Sequence, residues 1–334
     1  MKNKKQPIIR LNANENSHGC SPEVQKTIKK GLINVHLYPS LPVRLEEKLA
    51  EKFNVDATDI VVGAGSVRLI DGIIQTFVEP DEEIILFERS FVAYEQLAAA
   101  HRRKYSFAKQ TDFICDVENI FQLITKKTKV IFIANPNNPT GTIITHSQLE
   151  QLLKNISEKI IVVIDEAYCE YVTDKSFPDS FSLQKKYPNL IILRTFSKIY
   201  GLAGLRIGYG IMRGDMANVL KQNRIPFFFN SLSEDAALAS LKDKRFISSC
   251  IKKNTKYRNI LYEKLKQAGL NVISPQGNFL YVFFDSENKK EELFSKFTTN
   301  GLIVCNLKVF GQDKSLRISV GDAAAVEKIC LCLE

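Results

Sequence analysis

The chain has 334 residues, of which 45% are hydrophobic and 25% are charged, and its 46 lysine and arginine residues outnumber 37 acidic ones. This length exceeds what one hydrophobic core usually spans, so we expect two domains, and the composition is that of a globular protein rather than a disordered one. The net charge of +9 is scattered along the chain, which favours a solvated surface over a nucleic-acid-binding face.

Targeting and membrane signals are missing from the sequence. The basic N-terminus is followed by no apolar stretch, and no segment approaches the roughly 18 apolar residues that a membrane span needs. Seven cysteines form no CxxC pair and no metal-ligand spacing with the four histidines. We therefore expect a cytoplasmic protein with reduced thiols, without a metal and without a membrane or nucleic-acid partner.

Helical periodicity alternates with short β-branched runs between about residues 45 and 210. Helices are predicted at 44–53, 66–78, 93–102 and 146–156. Strands are predicted at 59–65 and 83–87 and at the start of 130–142, 160–168 and 190–198, each of which continues into a loop. Fully apolar strands that alternate with helices indicate a mainly parallel sheet covered on both faces. Ligands of such α/β sheets bind at the carboxyl ends of the strands.

The pattern changes beyond about residue 235. The sequence there predicts one long helix over 233–269, shorter alternating strands at 278–284 and 316–321, and a final helix. These features predict a large α/β domain over 39–235 and a smaller α+β domain built from 1–38 and 236–334.

Polar residues follow four of the predicted strands: Gly63 to Ser66, Asn138, Asp165 with Tyr168, and Ser197-Lys198 with Arg206. Each group alone is a weak signal. The Asn-Asn-Pro-Thr-Gly stretch is first of all a turn, and the glycine pattern lacks the third glycine of the dinucleotide fingerprint. A lone loop lysine is usually a solvated charge.

Taken together, these segments resemble one family. The stretches "ANPNNPTG", "VIDEAY" and "FSKIYGLAGLRIGY" are similar, in that order and spacing, to the fold-type I pyridoxal-phosphate aminotransferases of class I and II. The stretches "LNANEN", "YPS", "RSFVAY", "GNFLYV" and "LRISVG" resemble the histidinol-phosphate aminotransferase branch. The resemblance covers nearly the whole chain. It implies a homodimer that uses pyridoxal phosphate to move an amino group from histidinol phosphate to 2-oxoglutarate in histidine biosynthesis.

The resemblance also implies residue roles around the cofactor ring. Lys198 would bind the cofactor aldehyde covalently and, once freed by the substrate amine, would move a proton. Asp165 would pair with the pyridinium nitrogen. Tyr168 and Asn138 would hydrogen-bond the phenolic oxygen of the ring, and Phe91 would stack on it.

Further residues are implied for the two anionic groups. Ser197 and Arg206 would hold the cofactor phosphate, together with backbone N–H groups at Gly65 and Ser66. Tyr38 resembles a tyrosine that reaches the cofactor phosphate of the neighbouring subunit. The substrate-binding candidates are Arg317, which matches the arginine for the substrate's anionic group, Asn14 and His18.

The sequence departs from the branch at three places. Cys305 stands where an arginine usually follows "GIIV", His18 stands where an aromatic residue is common, and Val67-Arg68 replaces acidic residues; we expect Arg68 to be a solvated helix residue. A lost arginine–phosphate contact weakens substrate binding by about 1.5–3 kcal/mol unless His18 or Arg224 compensates.

An aminotransferase for another amine, such as an aromatic amino acid, is therefore an alternative function, as is a lyase similar to threonine-phosphate decarboxylase. A DNA-binding regulator on the same fold is disfavoured, since the roughly 35 residues before the large domain leave no room for a helix-turn-helix.

Overall fold

A computed structural model describes residues 8–334 of the chain, so the first seven residues of the predicted small domain lie outside the described range. The strands within this range are β1 (Ile9–Leu11), β2 (Ile60–Gly63), β3 (Glu83–Phe87), β4 (Lys104–Ala108), β5 (Gln110–Thr111), β6 (Ile114–Cys115), β7 (Thr128–Ala134), β8 (Ile161–Asp165), β9 (Leu190–Thr195), β10 (Gly208–Ile211), β11 (Asn271–Val272), β12 (Phe279–Phe283), β13 (Leu302–Asn306) and β14 (Ser315–Ser319).

Helices connect and cover these strands. They are α1 (Pro22–Gly31), α2 (Val43–Phe53), α3 (Ser66–Phe77), α4 (Ala93–Ala100), α5 (Glu118–Phe121), α6 (His146–Asn155), α7 (Ser180–Lys186), α8 (Gly214–Gln222), α9 (Ser231–Lys242), α10 (Lys244–Gln267), α11 (Glu287–Thr299) and α12 (Ala323–Leu333). Short 3₁₀ helices span Leu32–Asn34, Ala57–Asp59, Cys169–Tyr171, Ala203–Leu205 and Leu307–Phe310.

The larger sheet has seven strands in the order β2-β10-β9-β8-β7-β3-β4. Within it only β10 runs antiparallel to its neighbours, β2 and β9. Alternate residues of β8 point into different cores: Val162 and Ile164 join one hydrophobic cluster, whereas Ile161 and Val163 join the other. A strand that is buried on both faces needs helices on both sides of the sheet. The predicted fold, a mainly parallel sheet covered by helices, is confirmed.

The smaller sheet has the order β1-β13-β14-β12-β11, and β1 pairs parallel to β13. A third hydrophobic cluster joins this sheet to α10, α11 and α12 through residues such as Leu261, Phe297 and Ile329. The N-terminal segment thus supplies a strand to this sheet. The domain boundaries at 38 and 235 stay a prediction.

The prediction of one long helix over 233–269 is wrong. α9 ends at Lys242 and α10 begins at Lys244, because the Asp243 side chain accepts a hydrogen bond from the Phe246 N–H at 3.0 Å and so caps a new helix. Ala236 of α9 and Cys250 in the first half of α10 are buried in the cluster under the larger sheet, whereas Leu261, further along α10, is buried in the small-sheet cluster.

Candidate active site

A cavity of about 360 Å³ lies where β7, β8 and β9 of the larger sheet end. Parallel strands place their carboxyl ends at one edge of the sheet, so the loops that follow them converge there. The predicted site residues that line the cavity are Asn14, Ser66, Phe91, Asn138, Asp165, Tyr168, Ser197, Lys198, Arg206 and Arg317. Gly65, Tyr38 and His18 do not line it.

Asp165 is the last residue of β8 and is almost fully buried. Its Oδ2 accepts a hydrogen bond from the Tyr94 hydroxyl at 3.0 Å, while its Oδ1 has no partner among the described residues. Burial raises the pKa of the Asp165 carboxyl to about 6, against the lowering effect of its hydrogen bonds with Tyr94 and Ala167. A buried carboxylate oxygen without a donor is costly. Asp165 therefore suits a ligand that brings an N–H group or a positive charge.

Lys198 follows β9 by three residues and lines the cavity. Its Nζ donates a hydrogen bond to the Ala13 carbonyl at 3.0 Å and lies 5.5 Å from the centroid of the Tyr168 ring. The Tyr168 ring is in turn fixed edge-on against Phe279, with 5.0 Å between the ring centroids. Lys198, Tyr168 and Asp165 thus line one cavity.

A second group of polar atoms forms one end of the cavity. Arg206 Nη1 donates to Ser197 Oγ at 3.3 Å and to the Ala203 carbonyl at 2.9 Å. α3 begins at Ser66, and its N-cap, Gly65, supplies no side chain to its first N–H groups. A helix N-terminus beside an arginine is a favourable place for a phosphate.

Arg317 comes from β14 of the smaller sheet and also lines the cavity. Its Nη1 donates to Asn138 Oδ1 at 2.5 Å and its Nη2 donates to the Asn12 carbonyl at 2.7 Å, while Nε is buried without a partner among residues 8–334. The guanidinium lies 5.7 Å from the centroid of the Phe279 ring. This fixed, incompletely paired arginine suits a carboxylate or a phosphate.

Comparison with known proteins decides the family. The family model "Aminotransferase class I and II" matches residues 6–333. The chain belongs to this family.

Individual relatives agree with this membership. A histidinol-phosphate aminotransferase of a Geobacillus species is 35% identical over 96% of this chain and 88% of its own. The crystal structure of the histidinol-phosphate aminotransferase from Clostridium acetobutylicum superposes with a TM-score of 0.88 at 27% identity and 98% coverage of both chains. The Sinorhizobium meliloti histidinol-phosphate aminotransferase, crystallised with pyridoxal phosphate, has the same fold, with a TM-score of 0.90 at 24% identity over 98% of this chain and 90% of its own. The predicted enzyme class and cofactor are confirmed.

The residues of this aminotransferase fit pyridoxal phosphate. The unpaired Oδ1 of Asp165 can take the ring N–H, Lys198 is an amine within the same cavity, and Arg206 with the α3 N-terminus can take the phosphate. Among residues 8–334, no group of three or more His, Cys, Asp or Glu side chains could hold a metal ion.

Three of the predicted site residues lie away from the cavity wall of this aminotransferase. Gly65 lies behind the Arg206 guanidinium: a Cβ added there would stand 2.5 Å from Nη2. Tyr38 is 80% exposed and packs against the Phe227 ring, with 4.4 Å between centroids. His18 is half-buried; burial lowers the pKa of its imidazole, and Lys253 lowers it further.

Neither candidate for replacing the missing arginine reaches the cavity. A neutral His18 is favoured by its lowered pKa, and Arg224 is engaged elsewhere, with Nη2 at 2.5 Å from Glu46 Oε1 and 3.0 Å from the Val62 carbonyl oxygen. Arg68 also stays outside, since it forms an ion pair with Asp71 in the next turn of α3.

Tyr94 and Gln312 are among the contributors to the site that were not predicted. Tyr94, which donates a hydrogen bond to Asp165, stands in "RSFVAY" on α4. Its spacing of three residues from Phe91 is the signal in the sequence that could have predicted its place at the site. Gln312 lines the cavity from the loop before β14, where its Oε1 accepts a hydrogen bond from the Tyr281 hydroxyl at 2.9 Å. No local pattern in the sequence brings this loop to the larger sheet.

Proposed function

We propose that this aminotransferase transfers the amino group of histidinol phosphate to 2-oxoglutarate, with pyridoxal phosphate as its cofactor, as a step of histidine biosynthesis. The observation that carries the proposal is the convergence of Lys198, Asp165 and Arg317 on one cavity. A base, a buried acid and a fixed arginine are what an anionic amine substrate and a ring cofactor require. The names of the Geobacillus and Clostridium relatives support the substrate.

Each residue has a defined task in this reaction. Pyridoxal phosphate supplies, when bound, an electron sink for the electrons left when a proton leaves the amine-bearing carbon. Asp165 holds a proton on the ring nitrogen, because its buried carboxylate is stabilised by that positive charge. Lys198, as a free amine, takes the proton from the substrate carbon, a task typically worth about 10²- to 10⁴-fold in rate.

Asn138 and Tyr168 complete the ring pocket. Asn138 Oδ1 is occupied by Arg317, so its amide NH₂ remains for an acceptor in the cavity. Arg317 binds the anionic group of the substrate and so orients the amine toward Lys198. The single arginine also suits a carboxylate, which is the observation that favours an aromatic amino acid as the alternative substrate.

A homodimer with shared sites is part of the proposal. Two segments with exposed large apolar side chains meet where the Tyr38 and Phe227 rings pack, and we call them the apolar strip: Leu32, Ile33, Val35, Leu37, Tyr38, Leu41, Val43, Ile225 and Phe227. Contiguous exposed apolar surface marks an interaction site. Tyr38 lies in this strip, which supports its predicted role toward the partner subunit's cofactor.

A cytoplasmic location is supported by the cysteines, all seven of which are free of disulfides. No helix in residues 8–334 combines the length and apolar character needed to cross a bilayer.

The test is a half-reaction on the purified chain loaded with pyridoxal phosphate. Histidinol phosphate, phenylalanine, glutamate and threonine phosphate are added separately, and the absorbance of the bound cofactor is followed. Fast conversion by histidinol phosphate is expected. Faster conversion by phenylalanine establishes the aromatic alternative, and release of carbon dioxide from threonine phosphate establishes the lyase. Lys198→Ala is the control, and full turnover by that variant contradicts the proposed role of Lys198.

A further inference from the structure

Three consecutive residues of the N-terminal segment each contact a different functional side chain. The Asn12 carbonyl accepts a hydrogen bond from Arg317, and the Ala13 carbonyl accepts one from Lys198. Asn14 differs from both, because its side-chain Nδ2 donates to the Tyr168 hydroxyl oxygen at 3.1 Å. It is therefore the one member of the three whose side chain acts on a residue of the ring pocket.

Hydrogen bonds fix both the backbone and the side chain of Asn14. Its backbone N–H donates to Ser319 Oγ at 2.9 Å, and the Ser319 hydroxyl donates to Asn14 Oδ1 at 2.9 Å. Its carbonyl accepts from Asn278 Nδ2 at 3.0 Å, it is 1% exposed, and its φ of 54° is in the left-handed region. The serine fixes the amide orientation, since Oδ1 must face Ser319 and Nδ2 must face Tyr168.

This orientation determines what the Tyr168 hydroxyl can do. An amide NH₂ donates and cannot accept, so Asn14 uses a lone pair of the phenol oxygen and leaves the hydroxyl proton for another acceptor. Asn14 is the one hydrogen-bond partner of this hydroxyl within residues 8–334, and Tyr168 lines the cavity. A hydroxyl that accepts one hydrogen bond also becomes a stronger donor.

We propose that Asn14 is a positioning residue that acts through Tyr168 and fixes the Tyr168 hydroxyl as a donor toward the cavity. Asn14, assigned to substrate binding from the sequence, thereby serves the cofactor ring. The inference rests on the proposed function, because the acceptor is the phenolic oxygen of bound pyridoxal phosphate. Donation to that oxygen favours its deprotonated form.

The test is a double-mutant cycle on the protein loaded with pyridoxal phosphate. The pH midpoint of the absorbance change of the bound cofactor is measured for the parent chain, Asn14→Ala, Tyr168→Phe and the double variant. Asn14→Ala is expected to raise the midpoint by roughly half to one pH unit, the size of one hydrogen bond. In the Tyr168→Phe background the same change is expected to have almost no effect. An equal shift in both backgrounds overturns the proposal.

Asn14→Asp separates positioning from simple structural support. Aspartate has the same shape, but its carboxylate accepts the Tyr168 proton and draws it away from the cavity, so its midpoint is expected to rise more than that of Asn14→Ala. A structural role alone lowers the melting temperature of both variants and leaves the midpoint unchanged, which overturns the proposal.

Ser319→Ala provides a second test in case the variants at position 14 fail to fold. It removes the hydroxyl that orients the amide, which also accepts the Asn14 backbone N–H, and leaves the Asn14 side chain in place. A smaller shift in the same direction is expected; no shift overturns the proposal. If the parent chain itself shows no absorbance from bound pyridoxal phosphate, the proposed function fails, and this outcome is visible before any variant is compared.

Discussion

Cys305 lies directly opposite Arg317 in the antiparallel pairing of β13 with β14. Directly opposed residues of an antiparallel pair project from the same face of a sheet. Burial raises the pKa of the Cys305 thiol, and the Arg317 guanidinium only partly opposes that rise, so the thiol is neutral at physiological pH. An arginine at position 305 would project from the same face of the sheet as Arg317 and lie beside it.

Cys305→Arg is expected to tighten binding of histidinol phosphate by roughly ten- to a hundredfold, since a charged hydrogen bond contributes about 1.5–3 kcal/mol. The KM for histidinol phosphate should fall while the KM for phenylalanine stays nearly constant, because a carboxylate already has Arg317. Steady-state kinetics with both substrates measures this, with Cys305→Ala as the control for lost packing. An equal change in both KM values would contradict a phosphate contact at this position.

Asp165→Asn is expected to stabilise the cofactor-free protein at pH 8 while it weakens cofactor binding. The folded-state pKa of Asp165, about 6, lies above its ordinary value of 3.8. The folded chain therefore binds the proton more tightly than the unfolded chain, so the stability present below about pH 3.8 is lost as the pH rises through about 6. Asparagine carries no charge and escapes that loss, on the order of 1–3 kcal/mol.

Thermal unfolding of both proteins without pyridoxal phosphate, at pH 5 and pH 8, measures the effect. The advantage of Asp165→Asn should be large at pH 8 and should shrink at pH 5. Asp81→Asn, at an exposed position, changes the net charge equally and should show no such difference. A pH-independent advantage would mean that the Asp165 carboxyl is not the titrating group.

Gly65→Ala is expected to weaken pyridoxal-phosphate binding roughly tenfold or more, because the backbone there has a φ of +84° and an added Cβ would meet the Arg206 guanidinium at 2.5 Å. Fluorescence titration with pyridoxal phosphate measures the affinity. Gly204→Ala is the matched control, since a Cβ there meets no atom of residues 8–334 within 4 Å. Equal affinities of the two variants would show that Arg206 can move without loss of the phosphate site.

The central strands were predictable because both of their faces are buried. β7, β8 and β9 each contain a continuous apolar run, which indicates a parallel sheet. β10 was not predicted as a strand, because its glycine-rich sequence is typical of a loop; its position between β2 and β9 supplies the pairing that its composition does not. The break at Asp243 was missed because an aspartate in a helical pattern looks like a surface residue until its capping bond to Phe246 is seen.

The residues of the site also fall into a group that the sequence predicts and a group whose contacts it does not predict. Residues that follow strands of the larger sheet, such as Asp165 and Lys198, converge because the topology brings strand ends together. Contacts between the two sheets depend on how distant segments pack, which no local periodicity reports. The hydrogen bonds of Arg317 with Asn138 and of Asn14 with Tyr168 span 179 and 154 residues of sequence. The resemblance named these residues, but only the structure gave their partners.

Mixed dimers test whether Tyr38 serves the partner's site. Homodimers of Tyr38→Ala and of Lys198→Ala are both expected to have low activity. If each site combines its own Lys198 with the partner subunit's Tyr38, a hybrid of the two variants contains one site with both residues intact. Mixing the two proteins under conditions of subunit exchange should therefore restore activity, measured with histidinol phosphate and 2-oxoglutarate.

The matched control mixes Lys198→Ala with Asp165→Asn. These two residues line the same cavity of one chain, so every site in that hybrid lacks one of them and no activity should return. Recovery in the first mixture and none in the second requires Tyr38 to act across the interface, as expected for a side chain that is 80% exposed on its own chain. No recovery in either mixture would mean that Tyr38 serves its own subunit or only the packing of the apolar strip.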